Sequence, residues 1–115
     1  FWATWCAPCL SSVPAMRKAV ERHKDDAGVR FYFVNAWERA EDKPKNARDF
    51  LARTGYPFAV LLDLENRVID AYKVDGIPTK FVIDGGGRIR FKTTGYSGNH
   101  DRLLAELEAM IEMAR

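Results

Sequence analysis

Two cysteines lie three residues apart, in the segment Trp5-Cys6-Ala7-Pro8-Cys9. A structural disulfide framework needs more cysteines at wider spacings, and a bridge over so short a loop adds little stability by loop closure. The spacing therefore favours redox chemistry, in which one thiolate attacks a disulfide and a second thiol resolves the mixed disulfide that forms.

This segment lies where a strand is predicted to end and a helix to begin. A helix N-terminus carries partial positive charge and unpaired N–H groups, so it stabilises a thiolate placed there. We expect Cys6, at the exposed helix start, to be the attacking thiol and Cys9, one turn deeper, to be the resolving thiol. Pro8 fits the first helical turn because it has no N–H to leave unpaired.

The hydrophobic pattern predicts the order β-α-β-α-β-α-β-β-α, in which parallel strands with crossover helices precede an antiparallel hairpin. Predicted strands cover residues 1–4, 29–36, 58–62, 80–83 and 88–94, and predicted helices cover 8–24, 45–54, 64–74 and 99–115. Pro14 should kink the first helix, Gly55 should cap the second and Asn99 should cap the last. We expect residues 29–36 to be buried on both faces and residues 37–45 to form a solvated loop.

The composition indicates a single domain over residues 1–115. Its 18 basic and 16 acidic side chains leave a net charge of +2, which is too balanced to indicate a nucleic acid or an anionic membrane surface as partner. No apolar run is long enough to span a bilayer. Because the chain opens inside a hydrophobic strand, we expect a fragment or a processed piece of a longer protein.

A second motif, Gly76-Ile77-Pro78-Thr79, precedes a predicted strand. Proline at such a place occupies the first position of the strand or a special turn, and an X-Pro bond held cis there is a deliberate feature.

Several motifs together resemble the thioredoxin superfamily: WCAPC, the helix proline Pro14, the GIPT tetrapeptide, and Gly95 beyond the glycine turn. The opening FWATWCAPC, the insert from Trp37 to about Pro57, and the stretch DGIPTKFVIDGGGRI are similar to the TlpA/ResA/DsbE-like branch of extracytoplasmic thiol-disulfide reductases. The similarity covers essentially the whole chain. It implies an α/β thioredoxin fold, with a mixed central sheet of four or five strands flanked by helices and truncated at its N-terminus.

The resemblance also implies a substrate groove beside the cysteines. Pro78 would be cis and pack against the Cys6–Cys9 pair, and the backbone of Ile77 would pair with a substrate strand. Trp5 would flank the groove. The expected substrate-binding residues are Trp5, Ala7, Pro8, Ile77 and Pro78.

The branch further implies protein thiol or disulfide substrates, an upstream electron-donor protein, and a periplasmic or otherwise extracytoplasmic location. A role of the cytochrome c maturation type fits that setting. Membrane contact would come only through an anchor upstream of Phe1. The expected redox group is the dithiol itself, with no separate cofactor and no metal.

The sequence departs from the branch at the proton acceptor. Members often carry Glu three residues after the second cysteine, where this chain has Ser12. Glu38 resembles an acidic position near the active site of ResA-like members, and we expect it to replace that carboxylate as general base toward Cys9. The Ala-Pro dipeptide offers the thiolate no side-chain donor. This favours the disulfide form, hence a reductant with a potential of about −270 mV.

Two other functions are compatible with a CxxC pair. A structural zinc site needs two further ligands, and the only histidines, His23 and His100, have no ligand spacing. A thioredoxin-fold binding module could instead hold copper(I) between the thiolates, or serve as a passive partner domain.

Plainer structural roles are predicted for several of these residues. Trp2 is expected in the core, and Ser12 on a helix surface. His23 is expected on the surface near a helix end, and His100 on the surface near a helix start. Glu38 begins the charged run 38–45, whose simplest interpretation is a solvated face.

Overall fold

The N-terminal segment Phe1–Trp2 lies between two small sheets in the computed structural model, which describes all 115 residues. Trp2 donates its backbone N–H to Val34 O and accepts one from Ala36, forming an isolated parallel bridge at Asn35. The backbone nitrogen of Phe1 donates to Thr79 O at 2.9 Å. This short extended segment therefore connects the strand that contains Asn35 with the strand that begins at Thr79.

Five helices and four strands follow from this start. In chain order they are α1 (Ala7–Ser11), α2 (Val13–Arg22), β1 (Phe33–Asn35), α3 (Lys43–Thr54), β2 (Val60–Leu62), α4 (Arg67–Ala71), β3 (Thr79–Ile83), β4 (Ile89–Thr94) and α5 (His100–Ala114).

The strands form two separate ladders, not one continuous sheet. β1 pairs with β2 in parallel, and β3 pairs with β4 antiparallel. The predicted mixture of parallel and antiparallel pairing is confirmed. The expected sheet of four or five strands is replaced by two two-stranded ladders, with Phe1–Trp2 between them.

The predicted helix over residues 8–24 is divided into α1 and α2 at Ser12. Pro14 lies in the first turn of α2, where its missing N–H costs nothing; within one long helix it would have left the carbonyl of Leu10 unpaired. Ser12 is buried, and its Oγ donates to Cys9 O at 2.7 Å. The prediction of a surface serine is wrong, because this hydroxyl binds the last turn of α1 at the break.

The strand predicted over residues 29–36 is much shorter than expected. Only β1 is paired, Phe33 and Val34 are half-buried, and Tyr32 is 67% exposed. Residues ahead of β1 have no neighbouring strand, and Val29 and Phe31 pack against a helical cluster instead. Burial on both faces is therefore wrong for this segment.

Two further predicted elements are shorter than expected: the helix over residues 64–74 is reduced to the five-residue α4, and the strand over residues 1–4 makes only the isolated bridge at Trp2. The other elements lie close to their predicted positions. α3 ends at Gly55, whose left-handed φ of 62° is one that glycine adopts without strain. The hairpin of β3 and β4 lies where it was predicted. Asn99 caps α5 by accepting the N–H of Arg102 at 3.0 Å. No helix is both long enough and apolar enough to cross a membrane.

Three buried clusters make up the core. The one that concerns the site contains Trp2, Ala3, Cys6, Cys9 and Phe50. Trp2 is buried as predicted and stacks on Tyr56, with ring centroids 4.5 Å apart. A second cluster joins α2 to α5, and a third lies around Ile69.

Candidate active site

Cys6 and Cys9 are joined as a disulfide at the N-terminus of α1, with their Cα atoms 5.3 Å apart. Cys6 is the N-cap residue, in extended backbone conformation, and its Sγ accepts the backbone N–H of Cys9 at 3.3 Å. Once the disulfide is reduced, the same N–H and the helix dipole would stabilise a thiolate at Cys6. Cys9 lies inside α1, so its sulfur is not at the N-cap position.

The expected exposure of Cys6 is wrong for the oxidised protein. Cys6 is 3% exposed and Cys9 is 4% exposed, so solvent access does not distinguish them. The cause is the cluster around the disulfide, in which Trp2 and Phe50 are buried with the two cysteines. An attacking role for Cys6 would therefore rest on its N-cap position and its backbone donor, not on its exposure.

The second motif lies against the disulfide cluster. Ile77 packs on that cluster, the Ile77–Pro78 peptide bond is cis, and Pro78 is buried. Gly95 donates its N–H to Pro78 O at 2.8 Å, which connects the end of β4 to this turn. The resemblance implied this cis bond.

Ile77 has free backbone groups beside the disulfide. Its N–H and its carbonyl take part in no hydrogen bond within the protein, although Ile77 is half-buried. Buried or half-buried backbone groups are normally paired, so the unpaired backbone of Ile77 is available to a substrate strand.

The other predicted substrate-binding residues surround the start of α1. Ala7 and Pro8 are exposed, and Trp5 is 40% exposed. The indole N–H of Trp5 donates to Trp37 O at 2.8 Å, which fixes the orientation of the ring. The structure thus brings both cysteines, their two intervening residues, Trp5 and the Ile77–Pro78 turn to one region.

Glu38 is buried, so its interpretation as a solvated loop residue is wrong. Its Oε2 accepts hydrogen bonds from Thr4 N at 2.7 Å and from Asn35 Nδ2 at 2.8 Å. Its Oε1 accepts one from Thr4 Oγ1 at 2.6 Å and a longer one from Asn46 Nδ2 at 3.4 Å. The carboxylate thereby connects β1, α3 and the residue two before Cys6, and it makes no hydrogen bond to either cysteine.

The two histidines lie away from the cysteines. His23, predicted to be on the surface, is buried, and its Nε2 lies 2.8 Å from Glu108 Oε2. The prediction fails because α5 packs over the C-terminal end of α2. His100 is exposed at the start of α5, as predicted. No group of three or more His, Cys, Asp or Glu side chains is arranged to hold a metal ion.

Sequence reasoning missed Arg39 and the two asparagines that hold Glu38. The Arg39 guanidinium carbon lies 3.9 Å from the centre of a Trp5 ring. Only the position of Arg39 in the sequence could have indicated this contact. Arg39 follows the predicted strand over residues 29–36, and the end of that strand must lie close to the end of the strand before Cys6. Nothing in the local sequence indicated Asn46, because it lies on α3, 42 residues after its contact Thr4.

Comparisons with known proteins agree with this geometry. The model of the AhpC/TSA family matches residues 1–92. The chain is 34% identical over 102 residues to the thiol-disulfide oxidoreductase ResA of Geobacillus thermodenitrificans, covering 88% of this chain and 55% of that protein. It is 38% identical over 96 residues to the thiol:disulfide interchange protein HelX of Rhodobacter capsulatus, covering 83% and 49%. The chain spans about half the length of these curated relatives.

A solved structure confirms the fold class. The crystal structure of a candidate thiol:disulfide interchange protein DsbE from Chlorobium tepidum superposes with a TM-score of 0.78 at 30% identity, covering 96% of this chain and 76% of that one. The α/β thioredoxin-like architecture predicted from the motifs is therefore correct. The chain belongs to the AhpC/TSA family, and its relatives match the TlpA/ResA/DsbE-like branch that its sequence resembles.

Proposed function

We propose that this protein is a thiol-disulfide oxidoreductase that reduces disulfides of other proteins through the Cys6–Cys9 dithiol. The observation that carries the proposal is a CxxC disulfide whose first sulfur caps α1, next to an Ile77 backbone that is free to pair with a substrate strand. The names of the relatives, thiol-disulfide oxidoreductase and thiol:disulfide interchange protein, support the same chemistry.

The reaction is a transfer of two electrons and two protons from the dithiol to the substrate disulfide. The Cys6 thiolate attacks one substrate sulfur, the substrate S–S bond breaks, and the first substrate thiolate takes up a proton. Cys9 then loses its proton and attacks Cys6 Sγ. This forms the Cys6–Cys9 disulfide and releases the second substrate thiolate, which is protonated in turn. An external dithiol must reduce the protein before the next cycle.

Weak stabilisation of the Cys6 thiolate supports disulfide reduction as the direction of the reaction. Cys6 Sγ accepts one hydrogen bond, from the Cys9 backbone, and the side chains of Ala7 and Pro8 supply none. A thiolate with few donors favours the disulfide, so the reduced protein gives up its electrons readily. Similarity to the branch supports a location outside the cytoplasm, a role of the cytochrome c maturation type, and supply of electrons by an upstream donor protein.

Glu38 is the candidate proton acceptor for Cys9 in this scheme. It is buried near the site, and Ser12 provides no carboxylate. Since the hydrogen bonds of Glu38 go to Thr4, Asn35 and Asn46, a proton from Cys9 would have to reach it through an intervening group, such as a water molecule.

Insulin reduction tests the proposal. The protein, kept reduced by dithiothreitol, should precipitate the insulin B chain faster than dithiothreitol alone, whereas Cys6→Ser should act no faster than the reductant. Met113→Ala, at an exposed position in the last turn of α5, is the control and should act like the wild type. A wild-type protein that binds copper(I) stoichiometrically but leaves insulin unreduced would support the binding-module function instead.

A further inference from the structure

Arg39 is an exposed cation that the fold holds in one place without giving it a partner. Its guanidinium lies over the Trp5 ring, at 3.9 Å from the ring centre. None of the ion pairs of the structure involves Arg39, and none of its N–H groups donates to a protein acceptor. A guanidinium that stacks by its face keeps the N–H groups at its edge free to bind a carboxylate.

The loop beneath Arg39 is fixed at successive residues. Trp37 donates its N–H to Asn66 Oδ1 at 2.8 Å, and its carbonyl accepts the Trp5 indole N–H at 2.8 Å. Glu38, the next residue, is fixed by its four hydrogen bonds. Hydrogen bonds thus fix the backbone at Trp37 and the side chain of Glu38, the two residues before Arg39. A ligand that binds Arg39 therefore pays a smaller entropic cost for ordering this loop.

The location connects this cation to the reacting sulfurs. Trp5 immediately precedes Cys6 in the chain and is 40% exposed at the rim of the site. The neighbouring acid Glu38 faces inward, and the exposed Glu41 forms no ion pair with Arg39. A substrate strand lying between Ile77 and the start of α1 would therefore meet an unpaired positive charge beside its own cysteine.

We propose that Arg39, stacked on Trp5, determines substrate specificity by binding an acidic side chain next to the disulfide that is reduced. The inference deepens the proposed function and rests on it. The partner is thus a disulfide-bonded protein segment with Asp or Glu flanking its cysteine, recognised by the paired N–H groups of the guanidinium.

Three disulfide-bonded peptides test the proposal. They are identical except for Glu, Gln or Lys on both sides of one cysteine, and the measured quantity is kcat/KM for their reduction by the full chain. We expect the Glu peptide to be reduced about threefold faster than the Gln peptide and about tenfold faster than the Lys peptide, as for a single exposed ion pair. This preference should shrink at high salt, because exposed charges are screened.

Two variants and a control separate charge, geometry and location. Arg39→Gln should bring the three rates together. Arg39→Lys, which keeps the charge but loses the flat, two-pronged contact, should retain part of the preference. Arg48→Gln removes the same charge from an exposed position on α3 and should keep the wild-type ratios. Circular dichroism checks that each variant is folded.

Two outcomes would overturn the inference while leaving the proposed function intact. The first is a wild-type Glu-to-Lys ratio that persists in Arg39→Gln. The second is an equal loss of rate on all three peptides, with a shifted pH profile, because Arg39 would then act on the Cys6 thiolate and not on the substrate. If the wild-type protein reduces none of the peptides, both the proposed function and this inference fail.

Discussion

Glu38 and His23 are two polar side chains, each 9% exposed, that tie together different parts of the molecule. Glu38 connects β1 and α3 to Thr4, two residues before Cys6. His23 connects the end of α2 to Glu108 on α5, beside the cluster that joins those two helices. Both residues are buried and hydrogen-bonded, so burial alone does not indicate a functional role. What distinguishes them is whether their partners adjoin the reacting sulfurs.

Of the substitutions that this comparison suggests, Glu38→Gln should have the largest effect, which is a lower rate of disulfide reduction. If Glu38 accepts the proton of Cys9, the rate of insulin reduction should fall about 100-fold, because Cys9 resolves the mixed disulfide at Cys6 more slowly. Glu41→Gln, on the same loop but exposed, is the matched control and should retain the wild-type rate. A slower reaction in which the mixed disulfide at Cys6 does not accumulate would limit Glu38 to positioning Thr4.

His23→Ala should give the opposite result, with a loss of stability and no loss of rate per folded molecule. The substitution removes the hydrogen bond to Glu108, whose other carboxylate oxygen is already buried without a partner. We expect the free energy of unfolding, measured by urea denaturation, to fall by about 2 kcal/mol. Lys24→Gln, which breaks an exposed pair with Glu21, should change it little. A large loss of activity in folded His23→Ala would contradict a purely stabilising role for His23.

The smallest expected effect concerns Tyr56, which packs on the cysteine cluster and stacks on Trp2. Burial raises the pKa of Tyr56 above its ordinary value of about 10. Between the unfolded and folded pKa values the folded chain holds one more proton, so stability falls as the pH rises above about 10. Tyr56→Phe should flatten this decline in urea denaturation at pH 9 to 11. An identical decline in both proteins would show that Tyr56 does not cause it.

Local sequence predicted the elements whose signals lie within a few residues. The Gly55 and Asn99 caps, the β3–β4 hairpin and the break near Pro14 all follow from turn and capping chemistry. The strand over residues 29–36 was predicted too long. An apolar run predicts a strand from its composition, but it does not show whether a neighbouring strand is present to pair with each residue.

The surroundings of the site depended on contacts that no local pattern contains. Glu38 meets Thr4 across 34 residues and His23 meets Glu108 across 85, so their burial could not be predicted from their own neighbours. The cysteine pair and the GIPT turn were identified because their residue types are unusual at those positions. Arg39 was missed because an arginine in a charged run looks solvated until the indole beside it is seen.

The central claim, that Cys6 attacks and Cys9 resolves, is tested most directly by trapping the mixed disulfide. Reduced Cys9→Ser and reduced Cys6→Ser are each incubated with insulin, and the adducts are identified by mass spectrometry after alkylation. Cys9→Ser should accumulate an adduct through Cys6 that dithiothreitol releases, and Cys6→Ser should form little or none. An adduct formed preferentially through Cys9, or none with either variant, would contradict the assignment of roles.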